Sequence, residues 1–446
     1  VESLDTDGAN ISRTGTEDDG SELTTATLNA RYVNDSGWRF NAGLRALDAT
    51  SQFDPVDFFT TGLPVDGNRA TDSDSIVGNV GASVTTEAGT TWQMRAGFYD
   101  AEHRNLVDDV KDSSSAADRI SFSLQSDFRL ADNRLTLGIE HQDLDYQQRG
   151  TVGFGDPNQT QNMQVTSAFG EYQHLAGDRF TWIISGRFDD NSDFDNALTG
   201  RVALSYQLNP STRLRSSIGT GQKMPTFTER YGFFPDQFNG NPDLKPEKSQ
   251  SVDFGVDHDF LDGALSVQAS LFWQELEDEI NGFVFDPVTF LSTAENRTCR
   301  SERSGLELAA NWRISDRISF RATYTYTDAS EENIPGQKVT EIRRPENAGS
   351  VMVDFASVDS RFSVTLVADY GGSRFDLFFP PFPEPQQTVT LDSYWLVDLT
   401  AQYRLNDSVS VFARGSNLLD DDYEQVYGFR TLGRTAYFGI RAGFGN

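Results

Sequence analysis

At 446 residues, with 37% hydrophobic residues and no apolar run near the roughly 18 residues that a membrane-crossing helix needs, the chain excludes a helical membrane protein. Its formal charge of -30, from 67 acidic against 37 basic residues, argues against a nucleic-acid partner. A transmembrane barrel passes both tests, because its strands show one apolar and one polar face and average out as hydrophilic.

The chain opens at Val1 with no initiator Met and no signal-like segment, so its start reads as a cut or processed end. Residues 1–21, rich in Asp, Glu and Gly, read as an outer loop with the tail of an ascending strand at Val1–Ile11. The first clear strand is Glu22 to Val33. From there, short hairpin signals recur at Asn34–Gly37, Glu87–Thr90, Ala131–Asn133, Ala176–Asp178, Leu208–Ser211, Leu261–Gly263, Ser315–Asp316, Ser357–Ser360 and Asn406–Asp407. They alternate with long irregular connections near 48–73, 101–116, 147–161, 189–196, 222–247, 277–304, 328–346, 371–393 and 418–433. Short turns on one rim and long loops on the other describe an all-β, antiparallel transmembrane barrel, with the short set facing the periplasm and about 19 strands by this count.

The strand faces agree. Ile318, Phe320, Ala322, Tyr324 and Tyr326 alternate with Ser319, Arg321, Thr323 and Thr325. Trp395, Val397, Leu399, Ala401, Tyr403 and Leu405 alternate with Leu396, Asp398, Thr400, Gln402 and Arg404. Only the first set of each can meet hydrocarbon, where an Arg near the midplane costs roughly 2–4 kcal/mol. An aromatic content of 12%, with 33 Phe and 14 Tyr, suits rim girdles.

The longest excursion, Ile218 to Asp257, carries Lys223-Met224-Pro225-Thr226, then Glu229-Arg230-Tyr231, then Asn241-Pro242-Asp243-Leu244-Lys245-Pro246-Glu247. Later come Ser304-Gly305-Leu306-Glu307-Leu308, Arg344-Pro345-Glu346-Asn347, and Asn417 to Glu424 with Tyr423. The chain ends on Gly433-Arg434 and an alternating strand up to Phe444, which Gly445 and Asn446 follow. In this wording and order the sequence resembles the TonB-dependent outer-membrane receptors, most nearly their cobalamin and siderophore branch. The resemblance implies a 22-stranded barrel over residues 22–446, set in outer-membrane lipid of a Gram-negative bacterium and inserted by the barrel-assembly machinery. If Glu22–Val33 is that barrel's fourth strand, three strands and the plug domain with its TonB-contacting segment lie outside this chain. The resemblance further implies energised uptake of a chelate, with the plug coupled to the TonB–ExbB–ExbD complex.

No enzyme constellation is present. Gly219-Thr220-Gly221-Gln222-Lys223 lacks phosphate-loop spacing, and His103, His141, His174 and His258 stand apart from one another. Cys299, the single cysteine, permits no internal disulfide. Ligand contacts are expected in aromatic outer loops. These are Phe53, Phe58 and Phe59, then Tyr231, Phe233, Phe234 and Phe238, then Phe375, Phe378, Phe379 and Phe382, with packing of loop on loop as the competing reading. Asp54, Asp57, Asp66, Asp72 and Asp74 make the first long loop a candidate Ca²⁺ site, since that ion takes several hard oxygen ligands. A passive porin is the alternative function.

Overall fold

The computed structural model describes all residues except 14, 153–155, 235–237, 287–290, 335, 382 and 444–446, and the side chains at 283, 333 and 334. Phe382 and Phe444 therefore lie outside the described residues. The wall strands in order are β1 Glu2–Ala9, β2 Asp19–Val33, β3 Arg39–Gln52, β4 Arg69–Thr85, β5 Thr91–Val107, β6 Val110–Leu130 and β7 Asn133–Gly150. Then follow β8 Gln159–Ala176, β9 Phe180–Asn191, β10 Ala197–Asn209, β11 Thr212–Lys223, β12 Glu247–Phe260 and β13 Leu265–Glu277. The circuit ends with β14 Ser301–Arg313, β15 Ile318–Ile334, β16 Asn347–Ala356, β17 Phe362–Gly371, β18 Tyr394–Arg404, β19 Val409–Ser416 and β20 Thr435–Ala442. Each pairs antiparallel with the next.

Among the described residues these twenty strands, with the short Gln337–Thr340 segment on the upper end of β15, form one 21-stranded sheet. The wall has one strand more than the sequence count, and the extra one is β1. No ladder joins β1 to β20 among the described residues, yet the two ends of the sheet meet at the outer rim. Ser12 bridges Phe429 and the Arg430 N–H donates to the Ile11 carbonyl at 2.9 Å. Arg13 grips Glu424 at 2.6 Å. A flat sheet could not bring these residues together, so the meander curls through a full circuit.

Register sorts the two faces. Leu28 pairs with Leu44, Leu44 with Gly78, Gly78 with Phe98 and Phe98 with Ile120, so one outward row crosses five strands. Leu28, Leu44, Phe98 and Ile120 are all exposed, as a lipid-facing belt requires. Gly78 keeps room for the Phe98 ring, which a Cβ there would meet at 2.1 Å. The inward face is ionic. Asp127 accepts from Arg134 and Thr136, each at 2.7 Å. Arg187 spans Glu140 at 3.2 Å and Asp189 at 2.8 Å, and Asp354 takes Arg321 at 2.8 Å.

Above the belt the same outward face turns acidic. Asp48 lies opposite Asp74, and Asp100, Asp118 and Asp145 stand in register across β5, β6 and β7. The strands thus rise well past the lipid. One expected long connection disappears in this extension. Residues 101–116 are strand apart from a two-residue turn, Asp108 (φ 51°) and Asp109 (φ 62°), the doubly left-handed pair that matches hairpin twist.

Candidate functional site at the outer rim

The loop between β11 and β12 folds inward over the lumen. Thr226 caps the short helix α1, Phe227–Tyr231, with its hydroxyl accepting from the Glu229 N–H while the Glu229 carboxylate accepts from the Thr226 N–H. Phe227 stacks on Tyr146 of the inner wall at 5.4 Å. Gln148, fully buried on the same face, donates to the Phe233 carbonyl at 2.6 Å and accepts from its N–H at 3.1 Å.

The family-like run acts as a clasp for this loop. Leu244 is buried with Phe238 and Ala294, and Phe234 and Ile280 pack against them. Asn241 donates to the Ala294 carbonyl at 2.9 Å. Glu247 accepts from the Ile280 N–H at 2.8 Å and pairs with Lys223 at 3.0 Å. Pro225 is buried beside the helix cap, whereas Pro242 is exposed and Pro246 half-buried. Phe238 thus lies in a loop core with Phe234 at its edge, Phe233 is buried where its backbone meets Gln148, and Tyr231 lies against the Arg230 guanidinium at 4.6 Å.

Gly305 allows close approach, since a Cβ there would meet the Tyr326 carbonyl at 2.0 Å, while Glu307 is an exposed wall residue. Pro345 precedes Asn347, which opens β16 and accepts from the Tyr324 hydroxyl at 2.6 Å. Asn417 donates to the carbonyl of Asp421 at 2.9 Å and accepts from its N–H at 2.9 Å. The Tyr423 carbonyl accepts from Thr431, and the Arg434 N–H, next to Gly433, donates to Asp420 at 2.9 Å.

At the seam the loops β1–β2, β3–β4, β17–β18 and β19–β20 interlock. Ser12 donates to the Pro64 carbonyl at 2.6 Å, and Arg13 lies over the Tyr427 ring at 4.6 Å. Arg374 donates to the Glu424 carbonyl at 2.6 Å. Asp376, fully buried, takes Arg343 at 2.7 Å and the Tyr427 N–H at 2.8 Å. Phe378 packs on Tyr427 at 5.1 Å, whereas Phe58, Phe59, Phe375 and Phe379 remain exposed. Gly62 touches the Phe379 carbonyl, which a Cβ there would meet at 2.3 Å, so the β3–β4 and β17–β18 loops are in contact.

In the β3–β4 loop Asp54 is 4% exposed, and neither of its carboxylate oxygens makes a hydrogen bond of good geometry among the described residues, the Gly67 N–H lying only near enough to oppose its upward shift. Glu17 and Asp19 of the β1–β2 loop bring carboxylate oxygens to it, all within 4.8 Å of one another. Burial pushes the Asp54 carboxyl up to about 6, with repulsion from Asp19 and Asp66 adding to it. Three converging carboxylates, one of them desolvated, fit a hard divalent cation. The remaining acids from the candidate Ca²⁺ set are engaged elsewhere. Asp57 caps the N–H groups of Phe59 and Thr60 at 3.0 Å, held below the usual carboxylate range first by Thr60. Asp66 accepts from the Thr16 N–H at 2.8 Å, which lowers it likewise. Asp72 and Asp74 lie on the outward wall of β4, where Asp72 takes Thr50 and Asp74 takes Arg104. Glu17 and Asp19 are missing from that set because they sit in the acidic opening segment, and only the rim places them beside Asp54.

The family described as TonB dependent receptor-like, beta-barrel matches residues 5–418. Vitamin B12 transporter BtuB of Photobacterium profundum is 25% identical over 344 residues, covering 75% of this chain and 52% of that protein. The chain thus spans about half the length of this curated relative. Among solved structures, the copper transporter OprC superposes with a TM-score of 0.77 at 15% identity, covering 99% of this chain and 75% of that one. The FrpB iron transporter from Neisseria meningitidis (F3-3 variant) gives 0.77 at 12%, over 99% of this chain and 76% of that one. The siderophore receptor PirA from Acinetobacter baumannii gives 0.75 at 15%, over 98% and 72%. With a family match over nearly its whole length and a barrel shared with these structures, this chain belongs to the TonB-dependent receptor-like β-barrel family of the Gram-negative outer membrane.

Proposed function

We propose that this barrel takes part in high-affinity uptake of a nutrient chelate such as cobalamin or a ferric siderophore. One observation carries the reading. The β1–β2 and β3–β4 loops converge on Asp54, and the β3–β4 loop also carries the exposed rings Phe58 and Phe59 and meets the Phe379 carbonyl through Gly62, so a cation there would set the shape of an aromatic landing site. In this reading Glu17, Asp19 and Asp54 hold Ca²⁺, and the ion supplies the positive charge that three close carboxylates lack. The inward ionic face then docks a plug domain, through which the TonB–ExbB–ExbD complex drives release. The family supports these partners, as does the relative whose name is a vitamin B12 transporter.

The test is a fluorescence titration of the gene's complete product in detergent, with cobalamin, ferric siderophores and haem, each with and without Ca²⁺. Saturable binding of one chelate is expected, tightened at least tenfold by Ca²⁺ in the wild type and unresponsive to it in Asp54→Asn. Absence of binding to every chelate, together with free ion conductance in planar bilayers, would sink the reading in favour of a passive pore.

A further inference from the structure

One stretch of the lumenal wall carries charge that the wall does not neutralise. Because Leu28, Leu44, Gly78, Phe98 and Ile120 point outward, alternation puts their sequence neighbours on the inward face of β2 to β6. Arg39 stands lowest on that face, close above the turn at 34–37. Arg31 and Arg95 share the next row up, joined through Asn41 and Gly81. Two rows higher, Arg45 and Arg119 share a row through Val77 and Tyr99. From the row of Arg39 to the row of Arg45, these five strands hold five inward arginines and no inward Asp or Glu. All five are exposed, and among the described residues none makes an ion pair, although Arg95 donates to Gln93 Oε1 at 3.0 Å. Elsewhere on the wall Arg187 meets Asp189 at 2.8 Å, Arg213 meets Asp257 at 2.7 Å, and Arg414 meets Asp398 at 2.9 Å. Bordering the strip, Asp127 and Glu140 are already held by Arg134 and Arg187.

In a chain of net charge -30, five unanswered cations on one face reverse the sign of the local field. A channel with low-dielectric walls focuses such a field and concentrates the opposite charge. The spacing says what that charge does there. Arg39 and Arg45 are six residues apart on β3, roughly 20 Å along the strand, and Arg31 and Arg95 stand between those levels. The row below Arg45 and Arg119 crosses Gly43, Gly97 and Ser121, so short residues separate one level from the next. An anion moving down this face meets a planar, multi-donor guanidinium at each level. In water each contact is worth only about 1 kcal/mol at 4 Å, enough to attract and weak enough to release, which is what passage through a pore requires. We propose that Arg31, Arg39, Arg45, Arg95 and Arg119 form an anion path down the lumenal wall of β2 to β6, along which a chelate of net negative charge leaves the mouth. This rests on the uptake reading above and narrows its cargo: a ferric chelate of catecholate or carboxylate oxygens is favoured over a neutral one.

The experiment uses the gene's complete product with four labelled probes: a ferric tricatecholate and ferric citrate as anions, a neutral ferric trihydroxamate, and cobalamin. Binding is read by fluorescence in detergent, and entry is read in energised cells that carry the gene. Arg45→Gln with Arg119→Gln removes the upper level of charge, and Arg45→Lys with Arg119→Lys keeps it. An anionic probe should enter about tenfold more slowly in the Gln pair, recover in the Lys pair, and bind both with wild-type affinity, since capture lies above the strip. Unchanged affinity also shows that the variants are folded. Entry of neutral probes alone would overturn the inference while leaving the uptake reading intact. Entry of an anionic probe at the wild-type rate in the Gln pair would do the same. So would free ion conductance of the Gln pair in planar bilayers where the wild type is closed, since the arginines would then hold a protein segment in the lumen. If no probe binds or enters, the uptake reading falls and this inference with it.

Discussion

Asp54 sits in the fold at a cost that a cation would remove. Its carboxyl, raised to about 6 by burial, holds a proton that an unfolded chain releases near pH 4, so folding stability falls as pH rises from about 4 to about 6 and is level above that. Without a divalent ion, Asp54→Asn should therefore be more stable than wild type at pH 7, by roughly 2–3 kcal/mol at most, and equal to it at pH 4. Urea denaturation at the two pH values checks this, and a pH-independent difference would contradict it. With Ca²⁺ present the order should invert at pH 7 and not at pH 5, where protons compete for the site. Residues of this kind were only half legible in the sequence. An acid-rich loop pointed to Asp54, but nothing in the order of residues 10–19 shows that Glu17 and Asp19 stand across from it. Likewise residue order leaves Phe238 open between ligand contact and packing of loop on loop, and only the fold, which buries it with Leu244 and Ala294, decides for packing.

Among the elements, the tight turn at Asp108 and Asp109 offers the plainest test, because both residues take left-handed backbone without being glycine. Asp109→Gly should stabilise that hairpin by about 0.5–1 kcal/mol, read as slower amide exchange at the upper ends of β5 and β6. Unchanged or faster exchange would count against it. The membrane-embedded halves of the strands were legible because one face must be apolar, and period-two alternation follows from that demand. Where a strand leaves the lipid the demand ends. Lys111 to Asp118 reads as Lys-Asp-Ser-Ser-Ser-Ala-Ala-Asp, with neither face required to be greasy, so it passes for a loop although it is strand throughout. Residues 328–334 of β15 are hidden for the same reason.

For the molecule as a whole, the two ends of the sheet meet at the outer rim, through backbone as well as side chains. Arg13 and Glu424 belong to opposite ends of the sheet, and their contact carries the seam together with the Ser12 to Phe429 bridge. Arg13→Ala should weaken the seam by only about 1 kcal/mol, as the pair is partly open to water, yet speed protease cleavage within 417–434. Cleavage there at the wild-type rate would show that the backbone contacts suffice. Loop alternation in the sequence predicts a barrel, but which loops face each other depends on curl, and no local pattern encodes it. The outward carboxylates above the belt carry one more consequence. Lowering the barrel by one residue pair along its strands, a slide of roughly 5 Å along the membrane normal after tilt, would drag Asp74, Asp100, Asp118 and their neighbours into hydrocarbon together. The barrel therefore carries its own waterline, and in a bilayer of the wrong thickness the lipids must stretch or thin to meet it.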